Sequence, residues 1–84
     1  MSDAPKTIHL RYFAQLREQS QREEEERVTT AQTYSELYQE LKVQYGFTLD
    51  LSHIKVAAND RFVTLDQPIK TGDSVVFIPP VAGG

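Results

Sequence analysis

Near its C-terminus the chain runs Val75-Val76-Phe77-Ile78 and then meets two consecutive prolines, Pro79 and Pro80. Successive β-branched and aromatic residues of this kind read as a strand buried in the middle of a sheet. Each proline fixes φ and lacks a backbone N–H, so the chain must leave that sheet as a stiff, extended arm. Beyond the prolines the side chains shrink, from Val81 through Ala82 to Gly83-Gly84 and a free carboxylate. A backbone without Cβ atoms lets a tunnel close tightly around it. The arm is shaped to carry one reactive carboxylate, that of Gly84, into a narrow site on another protein. A terminal Gly-Gly pair alone is also what a frayed end looks like; the succession of strand, double proline and Gly-Gly carries the signal.

Everything upstream has to build the sheet that holds this strand, within 84 residues. That length predicts a single domain over 1–84 with a modest core, little room for an internal active site, and a flexible tail over 79–84. There is no cysteine, which excludes a disulfide framework, a thiolate-held metal and a cysteine nucleophile. The net charge is −3 and the nine basic residues form no block, so no nucleic-acid partner is expected. No apolar run approaches the roughly 20 residues of a membrane span, and the N-terminus lacks the basic-then-apolar order of a signal peptide. A soluble, cytoplasmic protein without a membrane partner is the expectation.

In chain order, a polar leader over Met1 to Pro5 is expected to be mobile. From Thr7 to Phe13 the residues alternate, with Ile8, Leu10 and Tyr12 on one face and Thr7, His9, Arg11 and Phe13 on the other. His9 and His53 each lack a second ligand nearby and are expected to be solvated; no metal site is predicted. Ala14 to Gln21 is rich in helix formers and predicts one or two helical turns. Glu23-Glu24-Glu25-Glu26 reads as a solvated face or turn, and Arg27 to Thr30 as the end of an edge strand. Thr33-Tyr34-Ser35-Glu36 fits a capping box, with Thr33 as N-cap. Tyr34, Leu37, Tyr38, Leu41 and Tyr45 then recur at helical spacing, and Gly46 suits the left-handed C′ position. The tyrosines of this stripe are expected in the core rather than on a stacking platform. Leu49 and Leu51 are expected to turn inward. Ile54 to Ala58 and Arg61 to Thr64 read as strands joined by an Asn59-Asp60 turn, and Thr71-Gly72-Asp73 as the tight turn feeding the last strand. The order predicts an α+β, ubiquitin-like β-grasp domain: a mixed sheet, one main helix across one face, and the last strand parallel to the first.

With these pieces placed, the chain resembles the small subunits of molybdopterin synthase, a family of β-grasp sulfur carriers. The resemblance lies in Tyr12-Phe13-Ala14-Gln15-Leu16-Arg17-Glu18, Val56-Ala57-Ala58-Asn59, Thr71-Gly72-Asp73-Ser74-Val75 and Pro79-Pro80-Val81-Ala82-Gly83-Gly84. The family often has an acidic residue where Ser74 stands, and Ser or Thr at Ala82. The resemblance implies that a ubiquitin-activating-type enzyme adenylates Gly84 with ATP. A sulfur donor then displaces AMP to leave a thiocarboxylate, and the sulfur is passed to a cyclic pyranopterin monophosphate inside the large subunit of a heterotetramer. Two loaded carriers are needed for each dithiolene product. No cofactor is bound by the carrier itself, and its catalytic groups are expected on the partner, since nothing here resembles a base or oxyanion site. The resemblance also sharpens a surface argument. Phe13, Ile78 and Phe62 are expected opposite the helix-covered face as a docking patch for the partner, with Pro79, Pro80, Val81, Ala82 and Gly83 entering its site. A related carrier serving thiamine or tRNA thiolation or attached to lysines, and a binding module with an inert tail, are the alternatives.

Overall fold

A computed structural model describes residues 4–80 of the chain. Five strands form one mixed sheet: β1 (Lys6–Tyr12), β2 (Glu24–Thr29), β3 (Lys55–Ala58), β4 (Arg61–Val63) and β5 (Ser74–Ile78). Their spatial order is β2-β1-β5-β3-β4. The last strand lies between the first and the third, parallel to β1 with Tyr12 beside Phe77 and antiparallel to β3 with Val56 beside Phe77. The helices α1 (Ala14–Ser20) and α2 (Tyr34–Tyr45) supply core residues to one face, and a short 3-10 turn covers Leu51–His53. This is the mixed, helix-covered sheet of a β-grasp fold.

The alternation in β1 does what its period demands. Ile8, Leu10 and Tyr12 are fully buried, as are Val75 and Phe77 from β5 and Val56 from β3. On α2 the stripe of Tyr34, Leu37, Tyr38 and Leu41 closes over them. Tyr38 meets the Phe77 ring edge-on at 5.3 Å and stacks on Phe47 at 5.8 Å, so these tyrosines are core residues. Burying each such side chain contributes about 1.5–3 kcal/mol. Leu49 and Leu51 pack against this core from the loop that follows α2.

The termini of α2 follow the sequence signals with one shift. Thr33 Oγ1 accepts from the Glu36 N–H at 3.2 Å, and Gly46 takes the left-handed conformation (φ 72°) at the other end. Glu36 Oε1, however, accepts from the N–H of Gln32 at 2.8 Å, one residue beyond the N-cap. Asn59 and Asp60 both have positive φ (55° and 69°), the paired left-handed geometry of a two-residue hairpin between β3 and β4. Ala14 also has a positive φ, 51°, where β1 turns sharply into α1. For a residue with a Cβ that conformation costs about 1–2 kcal/mol.

The glutamate run is not a solvated turn. Strand β2 begins at Glu24, so its period of two sends Glu24 and Glu26 outward and Glu25 inward. The Glu25 side chain is 10% exposed and is held by four donors. Tyr12 and Tyr45 each donate a hydroxyl hydrogen bond to its Oε2, Arg22 pairs with its Oε1 at 3.1 Å, and Arg27 lies 3.8 Å from Oε2. Arg27 continues to Glu40 at 2.8 Å and donates to Gln44, tying the edge strand to α2. A carboxylate this enclosed is tolerated because three hydrogen bonds and two guanidinium charges compensate it. Burial and the Glu25 bond together hold the Tyr12 phenol far above the usual tyrosine range.

At the opposite end, Asp73 anchors the entry to β5. Its carboxylate accepts from Tyr34 Oη at 2.8 Å, Lys70 N–H at 2.9 Å and Asn59 Nδ2 at 3.0 Å. Burial pushes this carboxyl upward, but the three hydrogen bonds outweigh it and leave the group below its ordinary value. Its ionised form is therefore favoured by folding. The resulting stability is complete above the unfolded pKa near 4 and is lost as pH falls through the lower folded value. Melting temperature is expected to drop on acidification below about pH 4, and Asp73→Asn is expected to flatten part of that drop. Parallel melting curves of the two proteins between neutral and acid pH check this.

Candidate functional site

Both helices lie on the same side of the sheet, and the other side is open. Strand registers place its residues in rungs. One rung runs Phe62, Ala57, Val76, Arg11, Glu24 across all five strands in the order β4, β3, β5, β1, β2. The next, toward the C-terminus of β5, holds Lys55 beside Ile78. The rung on the other side holds Ser74, His9 and Glu26, with His9 Nε2 bonded to Glu24 Oε1 at 2.7 Å. The face is thus divided: Phe62, Ala57, Val76 and Ile78 make an apolar band over β4, β3 and β5, flanked by Lys55 and Ser74, and β1 and β2 are charged.

The residues singled out by the sequence sort clearly on this frame. Phe62 is 71% exposed and Phe13 44% exposed, both far outside the core. Ile78 is half-buried on the open face, while its neighbours Val75 and Phe77 point into the core. The four-residue apolar run is therefore buried on one side only. Phe13 follows the last residue of β1 in an extended conformation (φ −124°, ψ 151°), which keeps its side chain opposite Tyr12 and next to Ile78 at the end of the face. Ala57 and Val76, which fill the rung between Phe62 and Arg11, were not singled out by the sequence. The signal that finds them is register, which pairs Ala57 with both Phe62 and Val76.

The root of the arm also differs from expectation. Pro79 is buried, and exposure begins at Pro80. Because β1 and β5 are parallel, α1 follows β1 at the same end of the sheet from which the arm departs. A groove of about 750 Å³ separates them, with Phe13, Ala14, Gln15, Glu18 and Gln19 on one side and Ile78, Pro79 and Pro80 on the other. Val81, Ala82, Gly83 and Gly84 lie outside the described residues. Among the described residues no group of three or more His, Asp or Glu side chains is arranged to hold a metal ion, and no helix is long and apolar enough to cross a membrane.

A family model described as the ThiS family matches residues 10–84, from the middle of β1 through the Gly-Gly pair. The chain belongs to the ThiS family. It is 32% identical over 80 residues to the molybdopterin synthase sulfur carrier subunit of Escherichia coli, covering 92% of this chain and 99% of that one. Among solved structures, a Haloferax volcanii protein known in solution superposes with a TM-score of 0.80 at 26% identity, covering 95% of this chain and 88% of that one. One chain of the Helicobacter pylori complex of subunits 1 and 2 of molybdopterin-converting factor is also similar. Its TM-score is 0.60 at 29% identity, covering 93% of this chain and 99% of that chain. In this ThiS-family chain the open sheet face and the root of the arm thus adjoin at one end of the β-grasp, where Phe13, Ile78 and Pro79 meet.

Proposed function

We propose that this chain is the sulfur-carrying small subunit of a molybdopterin synthase. An activating enzyme adenylates the Gly84 carboxylate with ATP, since a free carboxylate is a poor electrophile. A sulfur donor displaces AMP, and the resulting thiocarboxylate delivers sulfur to a cyclic pyranopterin monophosphate in the large subunit. The observation that carries this reading is the junction of the apolar half of the open face with the arm. Phe62, Ala57, Val76 and Ile78 form a strip that runs to Pro79, so a partner seated on the strip receives the arm directly. Two lines of likeness support it: the identity with the Escherichia coli sulfur carrier subunit, and the similarity to a chain of a two-subunit molybdopterin-converting factor. The chain has no cysteine, and in this scheme the sulfur rides on the terminus.

Mass measurement of the protein purified from cells tests the reading. A population heavier by one oxygen-to-sulfur exchange, located at Gly84 by fragmentation, is expected. Its absence under conditions where the activating enzyme is present would remove the carrier function.

The two prolines are expected to behave differently. Pro79→Gly loses buried contacts as well as backbone restriction, so it should lower fold stability by about 1–2 kcal/mol. Pro80→Gly should leave melting unchanged and weaken the complex with the large subunit by about 0.4–1 kcal/mol, through a greater ordering cost of the arm. Thermal melts paired with calorimetric titrations separate the two effects.

A further inference from the structure

The groove beside the arm has a wall whose support comes from elsewhere in the fold. Gln15 and Gln19 stand at i and i+4 on α1, so their side chains share one face of the helix. That face fronts Ile78, Pro79 and Pro80 across the groove. Both carboxamides turn to a single hydroxyl group, that of Thr48. Gln15 Nε2 and Gln19 Nε2 each donate to Thr48 Oγ1 at 3.0 Å, and the Thr48 N–H donates to Gln19 Oε1 at 3.3 Å.

Helix α1 has little else to fix its orientation. Its seven residues are too few for a helix that is stable by itself, and only Leu16 and Ser20 are buried. It enters through the left-handed Ala14, where the chain reverses within one residue and Leu16 and Arg17 donate their N–H groups back to Phe13 O. Leu16 anchors the helix like a pivot, and the Thr48 clasp sets how the helix sits about it. Thr48 lies two residues beyond Gly46, the cap of α2, so the clasp refers the groove wall to the main helix.

We propose that Thr48 is a positioning residue for the C-terminal arm. By holding Gln15 and Gln19 it fixes the α1 wall against which Pro80 departs, and so narrows the directions open to the arm. This rests on the reading that the arm delivers sulfur from Gly84. Thr48 touches none of the reacting atoms and acts through α1.

The test uses the full-length chain prepared chemically as its Gly84 thiocarboxylate, which bypasses activation, together with the large subunit. Thr48→Val keeps the shape and removes the shared acceptor, whereas Thr48→Ser keeps the hydroxyl. Thr48 is exposed, so neither change should alter melting. Three quantities are read: the rate of sulfur transfer at saturating partner, the affinity of the complex, and ¹⁵N relaxation of residues 81–84 in the free chain. For Thr48→Val we expect transfer to slow by about three- to tenfold. Affinity should fall by no more than about fivefold through the greater ordering cost of the arm, fast motion of the arm should increase, and Thr48→Ser should restore all three. Unchanged arm relaxation overturns the proposal, as does a loss confined to affinity or to melting temperature. If the unsubstituted thiocarboxylate itself transfers no sulfur, the carrier reading fails, while the relaxation comparison still decides the role of the clasp.

Discussion

A chain lacking Gly84, or extended by one residue beyond it, is expected to fold normally and accept no sulfur. The reacting atom in the proposed scheme is the carboxyl carbon of Gly84. Its distance from the docking surface is set by the residues that follow Pro79, the last buried position among the described residues. One residue of extended chain spans about 3.3–3.6 Å. A displacement of even about 1 Å between reacting groups can cost on the order of a hundredfold in rate. Removing or adding a residue therefore shifts the carboxylate by several times the tolerance of the partner's site. Extension also turns the Gly84 carboxylate into a peptide carbonyl, so Gly84 no longer offers a carboxylate to be adenylated. Melting temperature should not move, because both changes lie six residues beyond the last strand. Incubation with the activating enzyme, ATP and a sulfur donor, followed by mass measurement, reads the outcome. Thiocarboxylate formation on the untrimmed extended chain would refute the terminal-carboxylate chemistry.

Much of the fold is legible because its elements have strong local periods. The alternation from Ile8 to Tyr12, the Thr33 cap and the stripe from Tyr34 to Tyr45 each state an element and a buried face within a dozen residues. The final strand was legible as a strand from its composition, but its one-sidedness entered only with the surface argument that set Ile78 opposite the core. A run of four apolar residues fits burial on both faces, whereas here both helices cover the same side and Val76 and Ile78 stay half-buried. The glutamate run is solvated at Glu23, Glu24 and Glu26, as its charge suggests, and departs from that reading only at Glu25. Charge density argues for solvent, but once β2 begins at Glu24 the pleat turns Glu25 inward whatever its charge. Four donors, from Tyr12, Arg22, Arg27 and Tyr45, make that position tolerable, and three of them come from elements outside β2.

The candidate site was legible in its ends and not in its middle. Phe13, Phe62 and Ile78 follow from strand parity alone. Ala57 and Val76 need the register between strands that are far apart in sequence, which no local pattern contains. Pro79 shows the limit of a backbone argument. Lacking an N–H, it cannot extend the hydrogen-bonded ladder, yet it is buried all the same, at the edge of the groove beside α1.

The open face makes a second strong demand. Phe62→Arg and Ile78→Arg are each expected to weaken the complex with the large subunit by about 2 kcal/mol or more, roughly a thirtyfold loss of affinity. An apolar anchor is lost in each case, and a guanidinium must be desolvated against whatever apolar surface the partner presents. The two variants should differ in the free chain. Phe62 is 71% exposed, so its replacement should leave melting within about 4 °C of the parent. Ile78 is half-buried and sits beside Lys55, so an arginine there adds like-charge repulsion to lost packing and should lower melting further. Val43→Arg is the control, since Val43 is 85% exposed on α2, across the sheet from the docking strip. It should change neither property. Melting curves and titrations on the three variants decide the assignment. Normal affinity for Phe62→Arg would move the docking surface off β4. A sharp loss of melting in that variant would make Phe62 a folding residue despite its exposure. A loss of affinity in Phe62→Arg alone, with Ile78→Arg binding normally, would separate the strip from the arm and remove the continuity on which the proposed delivery of Gly84 depends.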